Sequence, residues 1–292
     1  MSCSGANLLV ESRRHKAMIK DVMVRLDGTK ADEARLAAVD EIAELFQSHV
    51  VGLFLNVLPV LIAPEAGIGG VQAAELLEKA REAGDKVEKK LSESLRRLQK
   101  PVELRRFDIL NDAAGDVAAR EARTADAFVT FRPNGASQEA EHLLESVLFG
   151  SGRHILLLPA RKSTKAIFER ILVAWNGSRE SARALAEALP YLRKAKEATV
   201  VVVDADSPAE LQATLGKDAV NHLRHHGITA VLHHTMLRDN DIGATLIAET
   251  KRLKTDLIVM GGYGHSRLRE WLLGGVTYQL LHKSPVPLLV AH

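Results

Sequence analysis

Glycines recur in the last part of the sequence at a spacing suited to holding a phosphate. Gly261 and Gly264 are separated by two residues, and Gly274 follows after nine more. A loop that wraps phosphate oxygens turns several backbone N–H groups inward, which requires left-handed backbone conformations and no Cβ in the way. Glycine meets both requirements. The spacing therefore predicts an anion-binding loop.

Neighbouring residues favour the same chemistry. Gly275 precedes a predicted helix over 276–283, whose N-terminal N–H groups and dipole would point at the same anion. Thr277 offers a hydroxyl. Positive charge would come from His265, Arg267 or Arg269. Tight turns alone would also explain an isolated pair of glycines, but two clusters after one strand favour phosphate binding, because ligands bind at the carboxyl ends of the strands in such sheets.

The elements that must position this loop alternate along the chain, as they do in parallel sheets covered by helices. Predicted strands in the first half are Asp21–Leu26, Val50–Val57, Val102–Asp108, Ala127–Phe131 and His154–Pro159. Predicted strands in the second half are Arg170–Ala174, Ala198–Asp204, Ile228–Thr235, Leu257–Met260 and Pro287–Ala291. Helices are predicted at Ala31–Phe46, Ala73–Leu98, Arg179–Lys194 and Pro208–Gly227, among others. The predicted fold class is α/β, with two tandem doubly wound, open parallel five-stranded sheets.

The two halves resemble each other. Val24–Thr29 is similar to Val173–Ser178, and Thr124–Asp126 is similar to Lys254–Asp256, each before a fourth strand. An internal duplication explains this pattern. We expect a first domain at 16–160 and a second at 166–292, joined through Ala160–Ala166.

Two similar domains in one chain can pair about a pseudo-twofold axis, as two subunits would. The final strand, Pro287–Ala291, would then offer a sheet edge for further pairing, and we expect a dimer of the whole chain.

Composition excludes several classes of protein. The chain has 292 residues, 46% hydrophobic and 26% charged, which suits two domains with their own cores. Its 39 basic and 37 acidic residues nearly balance, so a basic nucleic-acid-binding surface is not predicted. The single cysteine, Cys3, excludes a disulfide framework. Residues 1–20 lack a signal-peptide core, and the longest apolar stretch, 50–63, is too short to span a bilayer. We expect a soluble, cytoplasmic protein.

Several motifs together resemble a known family. Gly261-x2-Gly264-x9-Gly274, the run Leu272–Thr277 and the closing Ser284–Val290 are similar to the ATP-binding class of universal stress protein domains. In the first half, Leu148–Arg153 followed by Ile155–Pro159 is similar to the same family's helix four and strand five. The resemblance covers nearly the whole chain, as a tandem universal stress protein.

The resemblance implies an adenine nucleotide, ATP, at the carboxyl ends of the second half's strands. Its phosphates would lie on Gly261, Gly264, Gly274, Gly275 and Val276. In the family, an acidic residue after strand one approaches the ribose and the phosphate-bound metal, Mg²⁺, and this position is Asn176. The end of strand two, which lies against the adenine, is Val203 and Asp204, with Ala174 and Trp175 nearby. Trp175 either flanks the ligand or packs against the neighbouring helix.

Departures from the family pattern limit what the resemblance implies. Asn176 can hydrogen-bond to a ribose but cannot neutralise a divalent cation, and Gly275 replaces the usual Ser or Thr. The first half keeps an acid, Asp27, but its loop contains Pro133, which has no N–H, and the single glycine Gly135. We therefore predict that the first half does not hold ATP in the family manner. Its pocket would be filled by side chains or take another ligand.

Other chemistry is less well supported. The histidines His222, His225, His226, His233 and His234 lack a nearby cysteine, and a polar helix face followed by an alternating strand accounts for them, so no metal site is predicted. The sequence has no Gly-x-Ser-x-Gly elbow and no Gly-Lys-Ser/Thr phosphate loop. The favoured hypothesis is a stress-response protein that binds ATP for regulation rather than for turnover. The alternatives are an interaction and dimerisation module without nucleotide, with an unidentified protein partner, or another nucleotide-binding enzyme such as an adenylating ligase.

Overall fold

The structure, a computed structural model, describes residues 19–59, 70–132, 138–159, 168–204, 214–262 and 275–292. Its strands are β1 (Asp21–Leu26), β2 (His49–Val57), β3 (Val102–Ile109), β4 (Ala127–Phe131), β5 (His154–Leu158), β6 (Arg170–Ala174), β7 (Glu197–Asp204), β8 (Ala230–Met236), β9 (Leu257–Gly261) and β10 (Leu288–Ala291). Its helices are α1 (Ala31–Phe46), α2 (Gly70–Arg96), α3 (Ala114–Ala122), α4 (Gln138–Gly150), α5 (Arg179–Leu192), α6 (Lys217–His225), α7 (Ile242–Leu253) and α8 (Gly275–Lys283).

All ten of these strands form one sheet, in the order β3-β2-β1-β4-β5-β10-β9-β6-β7-β8. Each half contributes five parallel strands in the same relative order, so the predicted α/β class with doubly wound parallel halves is confirmed. β1 lies between β2 and β4, and β6 lies between β7 and β9. In each half, the second and third strands therefore lie on one side of the first strand, and the fourth and fifth strands lie on its other side.

The halves join through β5 and β10, which pair antiparallel. Leu289 lies opposite Leu156, and the flanking pairs are Leu288 with Leu157 and Val290 with Ile155. This register makes the junction locally twofold symmetric about the Leu289–Leu156 pair. The expectation that the final strand offers a free edge is wrong, because β10 is paired with β9 on one side and with β5 on the other.

The sequence explains why these segments become strands and helices. β5 is buried at every residue and reads His-Ile-Leu-Leu-Leu, as expected for a strand covered on both faces. α5 begins where the Ser178 Oγ accepts a hydrogen bond from the Ser181 N–H at 3.1 Å. α7 begins in the same way at Asp241, whose Oδ1 accepts from the Ala244 N–H at 2.9 Å. Helix caps thus fix the starts of both helices.

Apolar side chains cover both faces of the sheet, and each cluster runs across the junction. One cluster joins Phe46 and Leu95 of the first half with Tyr191 and Leu223 of the second. The cluster on the other face joins α3 and α4 of the first half with α7 and α8 of the second, through residues such as Leu148 and Leu280. The two halves therefore share one core layer on each face.

A buried polar group also crosses the junction. His154 of β5 is fully buried, and its Nδ1 lies 3.0 Å from the Glu187 Oε2 while its Nε2 lies 3.0 Å from the Tyr191 hydroxyl. Tyr191 packs edge-on against Phe46, with 5.2 Å between ring centroids. Because both ring nitrogens of His154 have partners on α5, the halves are held in one fixed orientation.

Predicted element bounds agree closely with those observed. β1, β4, β6 and α1 begin and end as predicted. β8 begins two residues later than the predicted Ile228 and ends one later, at Met236. Of the predicted helix Pro208–Gly227, α6 covers Lys217–His225, and residues 205–213 lie outside the described residues, as does the predicted join Ala160–Ala166. Among the helices that the structure describes, none is long and apolar enough to cross a membrane.

Candidate nucleotide site

The candidate site lies at the carboxyl ends of β6, β7 and β9. β6 pairs with β7 through Ala174 and Val201, and with β9 through Val173 and Val259. β6 is the strand where the chain direction along the sheet reverses, and doubly wound sheets generally bind their ligands beside the carboxyl end of such a strand. The structure thus brings together predicted site residues from three separate strands.

The turn from β6 into α5 is held by its own polar groups. The Trp175 N–H donates to the Val201 carbonyl at 2.9 Å, which fixes the turn against β7. Asn176 is exposed, and its Oδ1 accepts a hydrogen bond from the Ser178 N–H at 3.1 Å. Gly177 has a φ of 74°, which favours glycine. The half-buried Trp175 packs against the apolar cluster around α5, in agreement with the second of its two interpretations.

Gly261 and Gly262 make close contacts, but not those that the sequence predicted. Neither has a left-handed backbone, so the predicted positive φ at Gly261 is wrong. A Cβ on Gly261 would lie 2.6 Å from the backbone of Glu180 and Ser181, at the start of α5. A Cβ on Gly262 would lie 2.8 Å from Val290 and 3.0 Å from Leu148. These glycines let β9 approach α5 and the first half closely, and that close packing explains their type.

The start of α8 is exposed. Among the described residues, no heavy atom lies within 4 Å of a Cβ placed on Gly275. Val276 is half-buried and Thr277 is buried, so the predicted Thr277 hydroxyl lies inside the protein rather than on this surface. Gly264, His265 and Gly274, with Arg267 and Arg269, lie outside the described residues.

The end of β7 carries a polar pair. Asp204 Oδ1 lies 3.0 Å from His234 Nδ1 on β8, and both side chains are partly exposed. Val203, the preceding residue, packs against the apolar cluster on the opposite face. The predicted adenine position therefore has one apolar and one carboxylate side chain at consecutive residues.

The first half fills the same position with its own side chains. Arg35 is buried, and its Nη1 lies 2.8 Å from Asp27 Oδ2 and 2.6 Å from Asp32 Oδ1. Its guanidinium carbon lies 5.0 Å from the centre of the Phe131 ring, in a cation–π contact. The Asp32 carboxylate accepts a hydrogen bond from the Gly28 N–H at 2.7 Å. Internal charges thus occupy the turn after β1.

The two carboxyls respond differently to this arrangement. Burial tends to raise the pKa of Asp27, but the hydrogen bond from Thr29 and the charge of Arg35 outweigh it, so its pKa lies below its usual value. Burial and the nearby Asp27 raise the pKa of Asp32 above its usual value, despite the Arg35 contact. One guanidinium therefore does not compensate both carboxylates fully.

Sequence reasoning missed Asp32, Arg35 and Arg132 as parts of this edge. Arg35 occupies a buried position of α1, beside Leu36 and Val39, and a charged residue on a mostly apolar helix face is the signal that would have identified it. Arg132 directly follows β4, and its Nη1 lies 3.4 and 3.3 Å from the carbonyl oxygens of Leu280 and Leu281 in α8. Nothing in the linear sequence indicates that long-range contact.

The histidines do not form a single cluster. His222 and His226 are neighbours on one helix face, with 4.6 Å between ring centroids, but His226 Nδ1 also lies 3.1 Å from an Arg193 nitrogen. His233 contacts the buried carboxylate of Glu249 at 3.1 Å. Within the described residues, no three His, Cys, Asp or Glu side chains are grouped to hold a metal ion.

The Mg²⁺ implied by the family pattern fits the second half poorly. Asn176 provides one neutral oxygen, which already accepts a hydrogen bond from Ser178. A divalent cation favours carboxylate ligands. The corresponding carboxylate, Asp27, lies in the first half and is paired with Arg35.

Comparison with known proteins agrees with this geometry. A family model described as the Universal stress protein family matches residues 167–292. The structure is similar to a universal stress protein from Archaeoglobus fulgidus, with a TM-score of 0.67 and 20% identity over 94% of this chain and 96% of that one. It is also similar to a putative universal stress protein from Pseudomonas aeruginosa, with a TM-score of 0.59 and 17% identity over 94% of this chain and 93% of that one.

A functionally unknown protein from Pseudomonas aeruginosa has a TM-score of 0.60 and 16% identity, over 94% of this chain and 92% of that one. No curated protein matches the chain by sequence. These solved structures span both halves of the chain. At such low sequence identity, the structural similarity shows a common fold and nothing more. Residues 167–292 therefore match the universal stress protein family by sequence, and both halves share the fold of the solved universal stress protein structures.

Proposed function

We propose that the second half binds an adenine nucleotide, ATP, and that the bound state regulates the protein rather than driving turnover. One observation carries the proposal. At equivalent positions, the first half has Phe131 and Arg35 where the second half has Gly261 and Ala184. The second half thus lacks the side chains that fill the first, at the edge where doubly wound sheets bind ligands.

The polarity of this edge suits a nucleotide with its phosphates toward α8. Gly275 begins α8 with no atom of the described residues within 4 Å of its Cβ position, and helix N-termini stabilise anions. The ribose would lie over the turn at Asn176, and the base would lie at the end of β7, beside Val203 and Asp204. The proposed site also includes Gly261, Gly264, His265, Gly274, Val276, Ala174 and Trp175.

Regulation is favoured over catalysis by the residue at position 176. An amide neither takes up a proton at neutral pH nor balances the charge of a metal ion, so any hydrolysis should be slow. Nucleotide occupancy would then act through shape or partner binding in the cytoplasm. We expect the Mg²⁺ dependence of binding to be weak.

Isothermal titration of the intact chain with ATP tests the proposal, with one nucleotide bound per chain as the expected stoichiometry. Gly275→Val adds bulk in open space and should block the phosphates while leaving the fold intact. Ala186→Val, at an exposed position in the middle of α5, is the matched control. An absence of heat with the intact chain, or equal affinities for the intact chain and Gly275→Val, would remove the proposed site.

The filled first half favours a second candidate, an interaction module that binds no nucleotide. Its ion cluster at Asp27, Asp32 and Arg35 makes that edge a packing feature. In this case the fold would serve dimerisation and docking of a protein partner. Light scattering that finds only 31.9 kDa chains would exclude the dimer, and tight ATP binding would favour the first candidate.

A further inference from the structure

Arg132 connects the first half directly to a helix of the second. It directly follows β4, where its N–H donates to the Leu158 carbonyl at 3.0 Å, so its backbone is fixed by the sheet. Its half-buried guanidinium reaches the carbonyl oxygens of Leu280 and Leu281 at 3.4 and 3.3 Å. Burial lowers the pKa of Arg132, but a guanidinium remains charged at neutral pH. A cation from the first half therefore lies against carbonyls of α8.

These carbonyls belong to the last turn of α8, the end that carries the negative pole of the helix dipole. The other end begins at Gly275, where the proposed phosphates lie. Gln279, between the two ends, donates to Asp241 Oδ2 at 2.6 Å and ties α8 to the start of α7. Because a short helix moves as a rigid rod, a contact that holds its C-terminal turn also sets where its N-terminal N–H groups point.

Arg132 reaches from the first half to the second, and the equivalent position of the second half cannot make the reverse contact. The counterpart of Arg132 in the second half is Gly262, which has no side chain to reach the first half. A Cβ there would lie 3.0 Å from Leu148 of α4. The first half therefore braces α8, whereas the second half lets α4 approach closely. Where the second half has the glycine pair Gly261 and Gly262, the first half has Phe131 and this arginine.

We propose that Arg132 is a positioning residue for the nucleotide site of the other half. This inference rests on the proposed function, since it assumes that α8 meets the phosphates. It gives the first half a role in binding although its own pocket is filled. A residue that acts through the N-terminus of α8 affects the phosphates but not the base or the ribose, so its removal should weaken ATP and leave adenosine unchanged.

The test compares Arg132→Ala and Arg132→Lys with the intact chain, by titration with ATP and with adenosine. Arg132→Ala should weaken ATP binding by roughly threefold to tenfold, the scale of a charged contact at a helix C-terminus. Arg132→Lys keeps the charge but not the planar fork and should lie between the two. Arg123→Ala is the matched control, because Arg123 Nε donates at 3.0 Å to Gly150, the last residue of α4, within the first half.

Hydrogen exchange across 275–283 without ligand gives an independent readout. Arg132→Ala should raise exchange in α8, and Arg123→Ala should not. Equal ATP affinity in Arg132→Ala and the intact chain would overturn the proposal, as would an equal loss for ATP and adenosine, which would indicate general destabilisation. If the intact chain binds no ATP, the proposed function fails. In that case, exchange in α8 that is the same in Arg132→Ala as in the intact chain would also refute the claim that Arg132 holds this helix in place.

Discussion

The carboxyl edge of the sheet has the same backbone arrangement in both halves, but different groups pack there. In the first half, Arg35 lies between two carboxylates and against Phe131. In the second half, Gly261 approaches the backbone of α5 directly. The difference teaches that one turn geometry can be stabilised either by internal ion pairs or by close backbone packing.

The turn after the first strand shows what the halves retain in common. Asp27 Oδ1 accepts from the Thr29 N–H at 3.0 Å, and Asn176 Oδ1 accepts from the Ser178 N–H at 3.1 Å. The intervening glycines have φ values of 78° and 74°. An oxygen acceptor is enough for this turn, so both Asp and Asn can form it. They differ in charge, and Asp27 has the buried Arg35 beside it.

Arg35→Ala should cause the largest loss of stability. It leaves two carboxylates facing each other without a cation, and removing one partner of a buried ion pair costs about 3–5 kcal/mol. Urea unfolding measures the effect. The double variant Arg35→Met/Asp32→Asn removes the excess charge and should recover much of the loss. A loss below about 1 kcal/mol would mean that the ion cluster does not stabilise the first half.

Gly261→Ala should cost about 1–3 kcal/mol, the range for overpacking a tight site. Its Cβ would lie 2.6 Å from backbone atoms of α5, which cannot move aside as a side chain can. Gly275→Ala places the same methyl group in open space and is the control, with no loss expected. Thermal unfolding of both variants decides the matter, and equal melting temperatures would contradict the close approach.

Asn176→Asp should make ATP binding depend on Mg²⁺. A carboxylate there supplies the charge that a divalent cation requires, and we expect affinity with Mg²⁺ to rise about tenfold, equivalent to about 1.4 kcal/mol. Titrations of both proteins with ATP, in Mg²⁺ and in EDTA, measure the change. Asn176→Ser, which keeps a neutral acceptor, should show no such dependence. An unchanged Mg²⁺ response in Asn176→Asp would place the metal elsewhere.

Asp27→Asn should have the smallest effect, about 1 kcal/mol at neutral pH, and the effect should depend on pH. The pKa of Asp27 is lower in the folded than in the unfolded chain, so its stabilisation is present above the unfolded value of 3.8 and is lost as the pH falls through the folded value. The raised pKa of Asp32 has the opposite sign, because its ionisation as the pH rises past 3.8 costs stability.

Unfolding of the intact chain and of Asp27→Asn, measured from about pH 6 down to about pH 2, tests this assignment. The stability gap between them should close as the pH falls, since the protonated carboxyl of Asp27 and the amide that replaces it are both uncharged. A gap that stays constant over this range would show that Asp27 does not contribute through its charge.

The strands and long helices were predictable because local patterns specify them. Strands alternate with helices along the chain, in the order that a doubly wound sheet requires. In addition, an aspartate precedes the fourth strand of each half, as Asp126 and Asp256. The structure shows why both recur, since Asp126 accepts from the Asp21 N–H at 3.0 Å and Asp256 accepts from the Arg170 N–H at 3.1 Å. A repeated sequence thus indicated a repeated hydrogen bond.

The pairing of the halves and the contents of the first pocket were not predictable in this way. Whether β10 pairs with β5 depends on residues far apart in sequence, and apolar strands fit an edge or an interior position equally well. Arg35 falls on a helix face that periodicity assigns to the core, and its charge there indicates a buried ion pair without specifying the partners. Its carboxylate partners, Asp27 and Asp32, are close in sequence, whereas Phe131 comes from a distant strand.

The antiparallel pairing of β5 with β10 also governs the order in which the protein can be completed. During synthesis, β5 emerges with its neighbour β4, but its second neighbour forms only after the whole second half has left the ribosome. Until then the nascent chain exposes the unpaired edge of Ile155–Leu158, whose side chains are all buried in the finished protein. Such an edge attracts other strands, so early chaperone contact would protect the nascent chain at this segment.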